Sequence, residues 1–79
     1  MKTYTVAASF ESDGQVIDCT QPEILGDAAG AEYQSESCAI EAAEEAQAAI
    51  DDAILRGGDV DPTTSVSVYR GRIQVWCAR

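Results

Sequence analysis

The residues of this chain with the clearest capacity for chemistry are five carboxylates, Glu41, Glu44, Glu45, Asp51 and Asp52. On a helical projection with about 100° per residue they fall between about 120° and 240° from Ala39, opposite an apolar stripe, with no basic residue in that arc. The chemistry open to such a row is electrostatic. Neighbours such as Glu44 and Glu45 point about 100° apart on a helix, which does not bring them together as an acid and base pair. An exposed helix ordinarily gains a few tenths of a kcal/mol from each Lys or Arg placed four residues from an acid, and like charges at that spacing repel by a similar amount. The row spans roughly three turns, and its charges recur much as phosphates do along a duplex. A surface of this kind mimics nucleic acid and would be steered onto a basic groove by salt-sensitive attraction. Asp13, Asp59 and Asp61 are further candidate contacts, and Asp18, Glu23, Asp27 and Glu32 add to the field. A solvated face or a surface adapted to high salt carries the same excess of acid, so both readings stand on the sequence alone.

Other chemistries find less support. The chain has no histidine, which removes the usual general base near neutral pH, the Ser-His and Cys-His pairs and the imidazole metal ligands. Asp59-x-Asp61 opens like a calcium loop, but Thr64 and Arg70 stand where that loop needs Gly and a bidentate Glu. Gly57-Gly58 follows no strand and precedes no Gly-Lys-Ser/Thr, so it reads as a helix C-cap and not as a phosphate loop. No catalytic residue, metal site or cofactor is expected. Cys19, Cys38 and Cys77 are an odd set without close spacing, which fits reduced thiols better than a disulfide framework or a zinc ribbon. Cys77 is expected on an apolar strand face, and an exposed thiol could link two copies.

The elements that must position these groups are legible in the pattern. Tyr4, Val6, Ala8 and Phe10 alternate with smaller or polar residues, predicting a first strand over 3–10. Glu11-Ser12-Asp13-Gly14 supplies a turn, and Gln15–Thr20 a short second strand. From Gln21 to Gln34 the pattern breaks into a loop with one helical turn near Pro22–Leu25. Glu36–Arg56 is dominated by Ala and Glu and lacks Gly and Pro, predicting a helix of about six turns. Ser35 is its N-cap and Gly57 its C-terminal stop. Ala39, Ala43, Ala46, Ile50, Ala53 and Ile54 form its core stripe, with Ile40 and Ala42 at the margins.

Ser65–Cys77 reads as a second hairpin with Arg70-Gly71 as its turn, which sets Val68 opposite Ile73, Val66 opposite Val75 and Thr64 opposite Cys77. The other face would then carry Ser65, Ser67, Tyr69, Arg72, Gln74 and Trp76. Tyr69 and Trp76 are secondary partner-binding candidates, as an aromatic patch on that face that could bind a partner or a second copy, or lie beneath the Gln21–Gln34 loop. The order ββαββ predicts an α+β two-layer domain, a mainly antiparallel four-stranded sheet with one long helix packed on one face. Which hairpin edges meet in the sheet stays open.

Length and charge bound the rest. Seventy-nine residues, 46% of them hydrophobic, make one domain spanning 1–79, small enough to bury only roughly 60% of its unfolded surface. Fourteen acids against five bases, a formal charge of -9, argue against direct contact with nucleic acid or an anionic membrane and for a basic protein partner. No apolar run is long enough for a transmembrane span or a signal-peptide core. A soluble protein that stays where it is made is expected.

The starting strand Met1-Lys2-Thr3-Tyr4-Thr5-Val6, the acidic helix Glu36–Arg56 and the closing hairpin Ser65–Cys77 together resemble the small acidic phage-encoded anti-CRISPR proteins that inhibit type I surveillance complexes. The likeness is one of class, without a shared motif, and antirestriction DNA mimics or other phage modulators have a similar profile. It implies a stoichiometric, non-enzymatic inhibitor in the cytoplasm of a bacterial host. The acidic face would occupy the basic surface where the complex, Cascade, grips target DNA. A protein-interaction or dimerisation module using the aromatic sheet face is the alternative.

Overall fold

A computed structural model of the chain, describing residues 3–78, contains strands β1 (Tyr4–Ser12) and β2 (Gln15–Asp18), a helical turn α1 (Pro22–Leu25) continued by a 3-10 turn (Gly26–Ala28), the long helix α2 (Glu36–Leu55), and strands β3 (Ser65–Arg70) and β4 (Ile73–Cys77). The expected contributions of Met1, Lys2 and Arg79 lie outside the described residues. All pairings are antiparallel, in the order β2-β1-β3-β4. The two hairpins therefore meet through β1 and β3, with Val6 opposite Val68 and Ala8 opposite Val66. This is the α+β two-layer arrangement expected from the order of elements, and it resolves the question of which edges meet.

α2 lies across β3 and β1. Its buried stripe is Ala39, Ala43, Ala46 and Ile50, and Ile40, Ala42 and Ile54 pack at the margins. Ala39 and Ala43 are wholly buried beneath a helix that their small side chains allow close to the sheet. The bulk of the core comes from Val6, Val66, Val68, Leu25 and Ile50, each contributing about 1.5–3 kcal/mol on burial. The helix starts where Ser35 Oγ accepts the Cys38 N–H at 3.2 Å. It stops at Gly57, whose φ of 74° lets the Gly57 N–H reach the Ile54 carbonyl and the Gly58 N–H the Ala53 carbonyl, a Schellman closure.

The segment between β2 and α2 joins the helix-side core. Leu25 and Ala28 are buried there, and Tyr33 exchanges both backbone hydrogen bonds with Tyr4 at 2.8 Å. It leaves the opposite face of the sheet uncovered. Two Asp-x-Thr units tie irregular chain to β1. Asp18 accepts from the Thr20 hydroxyl at 2.6 Å while Thr20 Oγ1 accepts the Ala8 N–H at 3.0 Å. Asp61 and Thr63 repeat the device onto the Glu11 N–H at 2.9 Å.

The second hairpin departs from expectation in register. Its turn is Gly71-Arg72, with Arg70 opposite Ile73 and Tyr69 opposite Gln74. The φ of 64° at Gly71, the first loop position, is the type II′ requirement that a glycine there satisfies and an arginine does not. A bulge then follows, so that Val68 faces Trp76 and Ser67 faces Cys77. These shifts move Trp76 to the helix side and Cys77 to the outer face, and leave Ile73 69% exposed at the tip.

Candidate functional site

Glu41, Glu44, Glu45 and Asp52 are exposed along α2 as the helical projection requires. Asp51 is different. It is half-buried, and its Oδ1 accepts from Gln47 Nε2 at 3.0 Å. Asp52 also has a local counter-ion, Arg56 Nε at 3.1 Å from Oδ2 four residues on. Both partners are well exposed, so the pair contributes about 0.3–0.5 kcal/mol and screens one carboxylate of the row. The arc that looked free of bases on the projection therefore has a base at its border. Three glutamates, Glu41, Glu44 and Glu45, form its uncompensated part.

Gln47 was not singled out in the sequence, where it sits at the margin of the apolar stripe. It is buried, only 7% exposed, and its Oε1 accepts the Val66 N–H at 2.8 Å while Nε2 lies 3.4 Å from the Thr64 carbonyl. One side chain thus joins the acidic side of α2 to the start of β3 and the residue just before it. The amide supplies from one side chain both the acceptor and the donor this junction uses.

The acidic surface continues past the helix. A cleft of about 460 Å³ between α1 and α2 is bordered by Glu23, Asp27 and Glu45 with Tyr33. Two of the four acids expected merely to add to the field, Glu23 and Asp27, are thereby brought to the flank of the helical row. On the other flank Trp76 shares a smaller notch with Glu44, Gln47 and Asp51.

The remaining candidates disperse. Asp13 sits in the β1-β2 turn with φ 52°, and with Gly14 at 78° it makes the type I′ geometry of a two-residue hairpin, a role that accounts for it structurally. Asp59 is an exposed loop residue. Asp61 is engaged by Thr63, whose hydroxyl and amide both donate to it and hold its carboxyl below the usual range. Among the described residues no group of three His, Cys, Asp or Glu side chains is placed to hold a metal ion. Tyr69 and Trp76 stand on opposite faces of the sheet. Tyr69 Oη lies 3.3 Å from Gln74 Oε1 on the outer face, and Trp76 packs at the edge of the core. The expected shared aromatic patch is not formed.

The thiols also sort differently from expectation. Cys19 is the buried one, and Cys38 and Cys77 are exposed. Burial first, then the negative fields of Asp18 and Asp61, push the Cys19 thiol above its ordinary value of 9.0. A raised thiol pKa favours the neutral form in the fold, so this group's stabilisation is complete below pH 9 and is lost as pH rises through the folded-state value. In a timed reaction with a chromogenic disulfide at pH 8, two thiols are expected to react at once in the folded protein and the third only on unfolding. Three equally fast thiols would contradict the burial of Cys19.

Fold and surface together define a class, a small α+β domain that presents an acidic helix on one layer and a bare sheet on the other. No family model, curated protein or solved structure matches the chain at a significant level. Among the described residues no helix is long and apolar enough to cross a membrane.

Proposed function

We propose that this chain is a non-enzymatic inhibitor that places its acidic α2 face on the basic, DNA-gripping surface of a type I CRISPR surveillance complex and so keeps target DNA out. The observation that carries the reading is the exposed run Glu41, Glu44 and Glu45 with no counter-ion on its own helix, flanked by Glu23 and Asp27 across a cleft. Such a run costs the isolated helix a little stability, since like charges at three- and four-residue spacing repel. A cationic partner repays that cost on binding. The mechanism is competition: no bond is made or broken, and inhibition is stoichiometric.

The test is a gel shift of a matching DNA duplex on purified type I complexes, titrated with the protein across a salt series. DNA release in proportion to added protein, weakening as salt rises, is expected. Full DNA retention on every complex at saturating protein rejects the proposal.

A further inference from the structure

We propose that the uncovered face of the sheet is a self-association surface, on which a second copy of this chain packs by a two-fold axis with its strands crossing near right angles. The proposal does not rest on the reading of the acidic helix, because it uses the opposite layer of the fold.

The face is acid-poor in an acid-rich chain. From the pairing register its floor is Ala7, Ser9 and Ser67, small side chains between Tyr69 toward one end and Val16 toward the other. Together they bound a trough of about 300 Å³. Val16 is 70% exposed on this face, and a second copy packed there would cover it. Of the fourteen acids, only Glu11 and Asp18 project from the strands of this face, and both stand at the Val16 end.

The opposite end carries positive charge. β2 pairs with the C-terminal half of β1, whereas the β3-β4 turn lies beside Tyr4, so the two hairpin tips occupy opposite corners. At this second tip Arg70, opposite Tyr4 and on the same face as Val68, projects to the helix side, and Arg72 stands in the turn itself. Arg72 is exposed and has no acidic partner among the described residues. A two-fold axis in the plane of the interface, perpendicular to the diagonal between those corners, lays each tip on the other's opposite. Arg72 then meets Glu11 and Asp18 of the second copy, and each Tyr69 enters the trough beside the other copy's Val16. Strands crossed in this way form the orthogonal sheet packing. Any arrangement that stacks like ends together places acid on acid.

The facing area is roughly 20 Å by 20 Å from strand spacing and rise, which is small for a specific interface. The dimer is therefore expected to be weak, with a Kd of about 10–100 µM. Both copies keep α2 on the outside.

The test is sedimentation velocity of the full chain from 5 to about 500 µM with reductant present, so that no Cys38 or Cys77 disulfide contributes. The unaltered protein is expected to pass from monomer to dimer in that range. Val16→Arg is expected to abolish dimer. Arg72→Glu should weaken it about tenfold or more, because symmetry reverses two ion pairs at once. Arg72→Glu with Glu11→Lys should bring it back to within about threefold. Far-UV circular dichroism checks that each variant is folded, and none of the three altered residues is in the core. A chain monomeric at 500 µM, or a dimer indifferent to Val16→Arg, overturns the proposal. Failure of the double exchange to recover a dimer lost in Arg72→Glu overturns the two-fold arrangement that defines it.

Discussion

Replacing Gln47 with leucine is expected to lower the stability of the domain by about 2–3 kcal/mol, a large share of the roughly 4–12 kcal/mol typical for a chain of this length. Leucine matches the side chain closely in volume, so the loss would not come from a cavity. It would come from the Val66 N–H. In an antiparallel strand the N–H and C=O of one residue point to the same side. The Val66 carbonyl accepts from Ala78 N at 2.9 Å, which places the Val66 N–H on the β4 side as well. There β4 has ended, its last residue Cys77 being opposite Ser67. Gln47 Oε1, at 2.8 Å, supplies the acceptor that a longer β4 would have provided. Without it a donor at a wholly buried residue has no partner, and Asp51 and Thr64 lose the Nε2 contact together. Urea unfolding followed by Trp76 fluorescence reads the change as a midpoint drop of about 2 M at unchanged slope. Glu41→Gln, on the exposed side of the same helix, serves as the control and should stay within about 0.5 kcal/mol. A Gln47→Leu variant as stable as that control would show that water replaces the amide.

That bond illustrates where sequence patterning stops. The helix and its termini were legible because Ala and Glu dominate without interruption from Glu36 to Leu55, and because Ser35 and Gly57 act locally. The first hairpin was legible because Asp13-Gly14 selects one turn geometry. The turn of the second hairpin lies one residue beyond the Arg70-Gly71 pair that the alternation suggests. Alternation over Ser65–Cys77 gives equally good apolar faces in more than one register, and the deciding facts are the positive φ that Gly71 supplies and a bulge. Neither leaves a mark on hydrophobic periodicity, yet together they carry Trp76 through the sheet and away from Tyr69. Within the acidic row, residue type alone could not separate Asp51 from Glu44, since their projection angles nearly coincide. What separates them is Gln47, a residue whose value lies in the end of a strand that is distant in sequence.

The same separation decides which charges to reverse. If the proposed competition with target DNA holds, Glu41→Lys, Glu44→Lys and Glu45→Lys together are expected to weaken binding to a type I surveillance complex by about 10²–10³-fold. Three exposed attractions become three repulsions, at about 1–1.5 kcal/mol each, and 1.4 kcal/mol is tenfold. The fold should survive, because all three are solvent-exposed and lysine is as good a helix former as glutamate. Asp51 is left out because its carboxylate is tied to Gln47, so that reversing it would disturb the β3 junction and confuse lost binding with lost structure. Asp52 is left out because lysine there would face Arg56, its present partner at 3.1 Å. Neutralising Asp52 alone, as Asp52→Asn, is expected to change affinity less than threefold, since Arg56 already screens that carboxylate. The triple variant should also show a flatter dependence of affinity on salt, because fewer attractive charge contacts remain to be screened. Measured by competition against labelled duplex, unchanged affinity in a triple variant of native helix content would remove the α2 face from the contact. The search would then turn to the Glu23 and Asp27 side of the cleft, where acid remains exposed on the same layer of the fold.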